Sequence, residues 1–153
     1  MGTKMIGSLL LLGNSNVTRE LATVLSRLDL HVKFVTTARE AMTVLQKDAP
    51  DLLVVEMTAL GFTEIGLADL AGAAQELGTR IALLTSRSVV ETSACALLIG
   101  AIASLNKWVS VRVTAERVNA LVTHALCARQ LGVVFDSGMP WVDNDDEIAA
   151  LVA

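Results

Sequence analysis

The feature that most constrains this chain is a strict alternation of strand-sized apolar runs with segments of helical period. Residues 8–12, 31–35, 52–55, 80–84 and 102–106 read as strands, and each is followed by a stretch whose apolar residues recur every three or four positions. Parallel strands need a crossover connection, which a helix supplies, so this order predicts βα units around a parallel sheet. In the third strand Leu52, Leu53, Val54 and Val55 are all apolar. Four in a row predict burial on both faces, in the middle of such a sheet. The expected fold class is α/β: a five-stranded parallel sheet in a three-layer sandwich with a C-terminal extension.

Local signals place the helices. The first puts Val17, Leu21, Val24, Leu25 and Leu28 on one face, with Asn16 as the expected N-cap. Thr37 and Glu40 have capping-box spacing and open the second helix, which stops before Pro50. The third is expected over 63–77, with Leu67, Leu70, Ala74 and Leu77 inward and Gly78 as its stop. Ser88 and Glu91 repeat the capping-box spacing and open a fourth that ends near Gly100. The fifth is expected over 114–130, with Val118, Leu121, Val122, Ala125 and Leu126 on one stripe. The domain is therefore drawn at residues 1–130. Residues 131–153 change character: Gly132, Gly138 and Pro140 break them, and Asp143–Glu147 is densely acidic. They read as a linker or tail with a short helix over 145–152. Phe135 and Trp141 give the tail a way to dock, in the preferred reading back onto its own domain, because a solvated Trp is costly.

Composition narrows the function classes. Hydrophobic residues make up 53% of the 153 and aromatics only 3%, so the core must be aliphatic. The net charge of -4, the pI near 5.1 and the lack of a basic run argue against direct nucleic-acid binding by this segment. The longest unbroken apolar runs are strand-sized and residues 1–4 lack the apolar region of a signal peptide, so no membrane association and a cytoplasmic location are expected. Cys95 and Cys127 lack metal or redox spacing and are expected to be small buried hydrophobes. His31 and His124 have no ligand-spaced neighbour. With no P-loop, dinucleotide fingerprint or nucleophile elbow, neither a metal nor a cofactor is expected.

In open parallel α/β sheets, sites form at the carboxyl ends of the strands. Here those are residues 12–16, 56–58, 85–86 and 107–108. The motifs there are Pro50-Asp51-Leu52-Leu53-Val54-Val55-Glu56, Leu83-Leu84-Thr85-Ser86, and Gly100-Ala101 through Asn106-Lys107. On them the chain resembles the receiver domains of two-component response regulators, the CheY-like branch of the flavodoxin-like (βα)5 fold, over residues 5–130. The resemblance implies a phosphate-accepting aspartate at the end of the third strand, and a Thr or Ser and a Lys that contact the phosphoryl group after the fourth and fifth. It also implies a magnesium-binding acidic pair after the first. Carried onto this sequence, Thr85 takes the hydroxyl position and Lys107 the lysine position, but Glu56 stands where the aspartate should be. Leu12 and Gly13 stand where the acidic pair should be, and a shift of one residue brings in Asn14. Trp108 replaces the proline expected after the lysine, and Ser104 takes the aromatic switch position.

These departures have a chemical consequence. Magnesium requires hard oxygen ligands, usually including one or two carboxylates, and neither Leu12 nor Gly13 offers a side-chain oxygen. Glu56 is one methylene longer than aspartate, and a displacement of about 1 Å can cost on the order of a hundredfold in rate. Phosphotransfer is therefore not expected. Three readings of Glu56 and Lys107 stand: a structural ion pair at the strand-end rim, a permanent imitation of an aspartyl phosphate, or some other ligand site. Thr85 and Ser86 either satisfy loop backbone groups or contact a ligand. The turn Gly13-Asn14-Ser15-Asn16 has the form of an anion-binding loop at a helix start.

The expectation is a degenerate pseudo-receiver that works as a protein-interaction module and not as an enzyme. The resemblance implies a contact surface, often for a homodimer, over the fourth helix, fifth strand and fifth helix, where Trp108 is the candidate anchor. Two alternatives stay open. One is the regulatory half of a transcription factor, and the other is a ligand-binding or enzymatic flavodoxin-like domain.

Overall fold

The computed structural model describes residues 6–57, 64–85, 96–97, 99–107, 109–131 and 141–142. In chain order the strands are β1 (Gly7–Leu12), β2 (Leu30–Val35), β3 (Leu52–Glu56), β4 (Arg80–Thr85), β5 (Ala103–Asn106) and β6 (Trp141–Val142). The described helices are α1 (Asn16–Ser26), α2 (Ala38–Asp48), α3 (Glu64–Leu77) and α4 (Val111–Leu131). The expected fourth helix falls mostly outside the described residues, with Ala96, Leu97 and Ile99 helical. α4 is therefore the fifth helix of the sequence reading.

All pairings are parallel, in the order β2-β1-β3-β4-β5-β6. The five expected strands are present and parallel, and the chain has the CheY-like flavodoxin fold. The count of five needs one correction: Trp141 and Val142, assigned to the tail, pair with Ala103 and Ser104 as a short sixth strand. The expected tail helix lies outside the described residues.

Alternation along the strands divides the core. Leu10, Leu12, Leu53, Val55 and Leu83 pack with Leu45 of α2 and Leu67 and Leu70 of α3. Leu9, Leu11, Leu52, Val54 and Leu84 pack with Leu21 and Leu25 of α1 and Val118 and Val122 of α4. Every residue of β3 is buried, as its sequence requires of a central strand.

Several boundaries move for local reasons. Ser15, not Asn16, caps α1. Its hydroxyl accepts from the Thr18 N–H, while the Thr18 hydroxyl accepts from the Ser15 N–H at 3.1 Å. Thr37 caps α2 through the Glu40 N–H, one arm of the expected box. Gly78, at φ 76, follows α3 in the left-handed region that glycine adopts without a Cβ penalty. α4 begins three residues before Thr114, because Ser110 supplies the cap: its hydroxyl accepts from the Val113 N–H at 3.2 Å. Cys127 is exposed, off the buried stripe, contrary to the expectation of burial; Cys95 lies outside the described residues.

At the amino ends of the strands Asp51 is a buried tie that the sequence reading passed over. One carboxylate oxygen accepts from the Ser8 N–H at 2.9 Å and the Ser8 hydroxyl at 3.1 Å, and the Asp51 C=O accepts from the Arg80 N–H at 3.0 Å. The side chain thus fixes β3 to β1 at the end opposite the candidate site. Hydrogen bonds to charged groups contribute about 1.5–3 kcal/mol each, and a stranded partner costs more. Asp51→Ala is expected to lower unfolding stability by about 2–4 kcal/mol in urea denaturation.

Candidate functional site

The carboxyl ends of β1, β3 and β5 converge on one side chain. Glu56 ends β3 with 1% exposure. Its carboxylate accepts from the Asn14 N–H at 3.1 Å, the Ser15 hydroxyl at 2.5 Å and the Lys107 ammonium at 3.2 Å. A buried carboxylate is tolerated only when donors replace the water it loses, and three donors do so here. The arrangement also serves α1, which has no acidic residue in its first turn. Glu56 supplies the negative charge that the positive end of the helix dipole favours.

Each donor has a local cause. Asn14 and Ser15 lie in the turn between β1 and α1, held by the Ser15–Thr18 capping box and by the Gly13 N–H, which donates to the Val35 carbonyl at 3.1 Å. Lys107 follows β5, with its N–H donating to the Thr85 carbonyl at 2.9 Å. That bond sets the lysine beside the end of β4, and its side chain is 12% exposed in the ion pair.

Of the residues singled out by sequence, Glu56, Lys107 and Asn14 are brought together, Asn14 through its backbone N–H. Thr85 is buried at the end of β4 beside them. Leu12 is not part of the site: it is fully buried in the α2–α3 half of the core. Gly13 is at the site's edge with no room for a side chain. A Cβ there would fall 2.5 Å from Thr18 Cγ2 and 2.8 Å from Thr18 Oγ1. Ser104 is buried in β5, and among the described residues its hydroxyl has no hydrogen-bond partner. Trp108 and Ser86 lie outside the described residues.

Ser15 was legible only as a member of the Gly13–Asn16 turn; its roles as the cap of α1 and as a donor to Glu56 were missed. Its signal was the S-x-x-T spacing to Thr18, which makes it an alternative cap to its neighbour Asn16.

The magnesium ion that the fold family implies does not fit these residues. Leu12 faces the core, the space at Gly13 is filled by Thr18, and Asn14 approaches Glu56 through its backbone. Among the described residues no group of three or more His, Cys, Asp or Glu side chains is placed to hold a metal. The carboxylate of Glu56 is already engaged by three donors, which leaves it poorly disposed as a nucleophile.

No family model matches the chain, and no curated protein matches it. Solved structures do. A signal receiver domain of a putative Luxo repressor protein from Vibrio parahaemolyticus superposes with a TM-score of 0.71 at 16% identity, covering 83% of this chain and 98% of that one. A signal receiver domain of an HD domain-containing protein from Pseudomonas fluorescens Pf-5 gives 0.70 at 20% identity, covering 85% and 96%. A CheY-like response regulator receiver domain protein from Methanospirillum hungatei JF-1 gives 0.67 at 18%, covering 80% and 98%. The fold of this chain is that of response-regulator receiver domains. No helix among the described residues is long and apolar enough to cross a membrane.

Three substitutions probe the site as built. Gly13→Ala forces a Cβ against Thr18 and is expected to cost about 1–3 kcal/mol in urea unfolding. Thr18→Ser removes Cγ2, the nearest atom, keeps the hydroxyl, and should recover part of that loss. Lys107→Ala removes the cation from a buried carboxylate and is expected to cost about 2–4 kcal/mol, below the fully buried limit because Lys107 is partly solvated.

Proposed function

We propose that the chain is an atypical receiver domain that acts as a signalling protein-interaction module without being phosphorylated, and is not itself an enzyme. The observation that carries this reading is the Glu56 carboxylate, buried and engaged by Asn14, Ser15 and Lys107 where an acceptor would need to be accessible. In the proposed role Glu56 stands in for a phosphorylated aspartate. It is a fixed negative charge paired with Lys107, with its extra methylene carrying the carboxylate toward the lysine and the start of α1. The domain then rests in one conformation and presents it to a protein partner.

The proposed contact surface is the side formed by the segment 88–100, β5 and α4, with Trp108 as an anchor, and the proposed partner there is a second copy of the chain. The solved structures of similar fold include a putative repressor's receiver and also a DNA-binding response regulator of the LuxR family from Staphylococcus aureus. They support a further reading of this chain as the regulatory part of a transcriptional regulator, acting in the cytoplasm. Direct nucleic-acid binding by this segment is not proposed, since its net charge is -4.

The decisive experiment is incubation with acetyl phosphate and magnesium, followed by intact-mass measurement. The mass should be unchanged, and a phosphoryl adduct would overturn the proposal. Glu56→Gln removes the charge while keeping the shape, and is expected to weaken self-association or partner capture. A Glu56→Gln protein that folds and assembles like wild type would reduce Glu56 to a structural ion pair.

A further inference from the structure

The two edges of the sheet are protected in different ways. β2 carries exposed His31 and Lys33, and Lys33 bonds to Asp48 at the end of α2. That contact holds the Asp48 carboxyl below its ordinary value. A charged side chain along an outer strand is a common defence against pairing with another chain. β5 has no such defence. Its residues, Ala103, Ser104, Leu105 and Asn106, are uncharged, and its protection is the backbone of Trp141 and Val142.

That protection is short. β6 pairs two of the four β5 residues, whereas β1 and β2 pair over six and β3 and β4 over five. Local opening starts where cooperative pairing is least extensive. A second observation falls at the same place. Ser104 is the register partner of Val142, and its buried hydroxyl has no partner among the described residues. A polar group buried without a partner costs stability at that register position.

We propose that Trp141–Val142 is a detachable cap on β5, whose release opens that edge to antiparallel pairing with β5 of a second copy. The proposal builds on the reading of the β5 side as the contact surface. A second copy is the fitting occupant because two identical uncharged edges related by a two-fold axis are self-complementary. Sheet extension also satisfies the N–H and C=O groups that release would expose. Self-association then becomes a matter of whether Trp141–Val142 is seated on β5.

The test compares full-length proteins. Register partners in neighbouring strands lie about 4.8 Å apart, within the span a disulfide bridges. The pair Ser104→Cys with Val142→Cys, with Cys95→Ala and Cys127→Ser removing other thiols, should therefore lock the cap when oxidised. Val142→Pro removes an N–H from a two-residue strand and should unseat it. In sedimentation equilibrium across a concentration series the oxidised lock should stay monomeric, and reduction of the same protein should restore association. Val142→Pro should dimerise at least about tenfold more tightly than wild type. Failure of the lock to form intramolecularly would overturn the cap. If locked, reduced and Val142→Pro proteins all dimerise alike, the edge mechanism is wrong and a dimer built on helix faces survives. If all stay monomeric alike, the edge mechanism and the proposed homodimer both fall.

Discussion

A carboxylate shut away from water must find donors, and much of the upper end of this molecule is arranged by that requirement. Glu56 is carried into the interior because it ends β3, whose preceding residues are all core. Its oxygens draw in the turn after β1 and the lysine after β5, so three chain segments distant in sequence meet at one group. The turn can approach so closely because residue 13 has no side chain and Thr18 packs where a Cβ would be. The features that exclude a metal are therefore the same ones that satisfy the acid. A carboxylate at position 13 would need the space that Thr18 occupies while capping α1.

β3 is bounded by two buried acids that do the same job at opposite ends. Asp51 ties the start of the strand to Ser8 at the start of β1. Glu56 ties its end to the turn that leaves β1. Between them the two strands pair in register from Leu9 with Leu52 to Leu12 with Val55. The apolar run alone would tolerate a slip to another position of equal hydrophobicity. Polar anchors at both ends remove that freedom, since a slipped register would bury unmatched charge.

This division explains what was legible in the sequence. Periodicity exposed the five main strands and the burial of β3, because four successive apolar residues suit a short strand only where both of its faces are covered. The meeting of Glu56 and Lys107 was legible because strand ends converge in this topology. The rest depended on tertiary partners. Ser15 and Asn16 are both good caps, and the choice falls to Ser15, whose hydroxyl also reaches Glu56, 41 residues away. Leu12 could have been assigned to the core from its alternation with Leu10, which shares its face. The Ser8–Asp51 tie was hidden because polar residues beside an apolar run read as its boundary. β6 is two residues long, too short to show any period.

A switch needs two states whose balance some signal can shift, and a ligand shifts that balance only by binding one state better. In the proposed reading the group that would carry the signal is part of the chain. The Glu56 carboxylate cannot be added or withdrawn, and its effective concentration beside Lys107 never changes. The site then contributes a constant bias, holding α1, β3 and the end of β5 in one arrangement. Whatever variability the domain retains must lie where pairing is short and tertiary contact thin. Among the described elements that points away from the strand-end site and toward β5 and its two-residue neighbour.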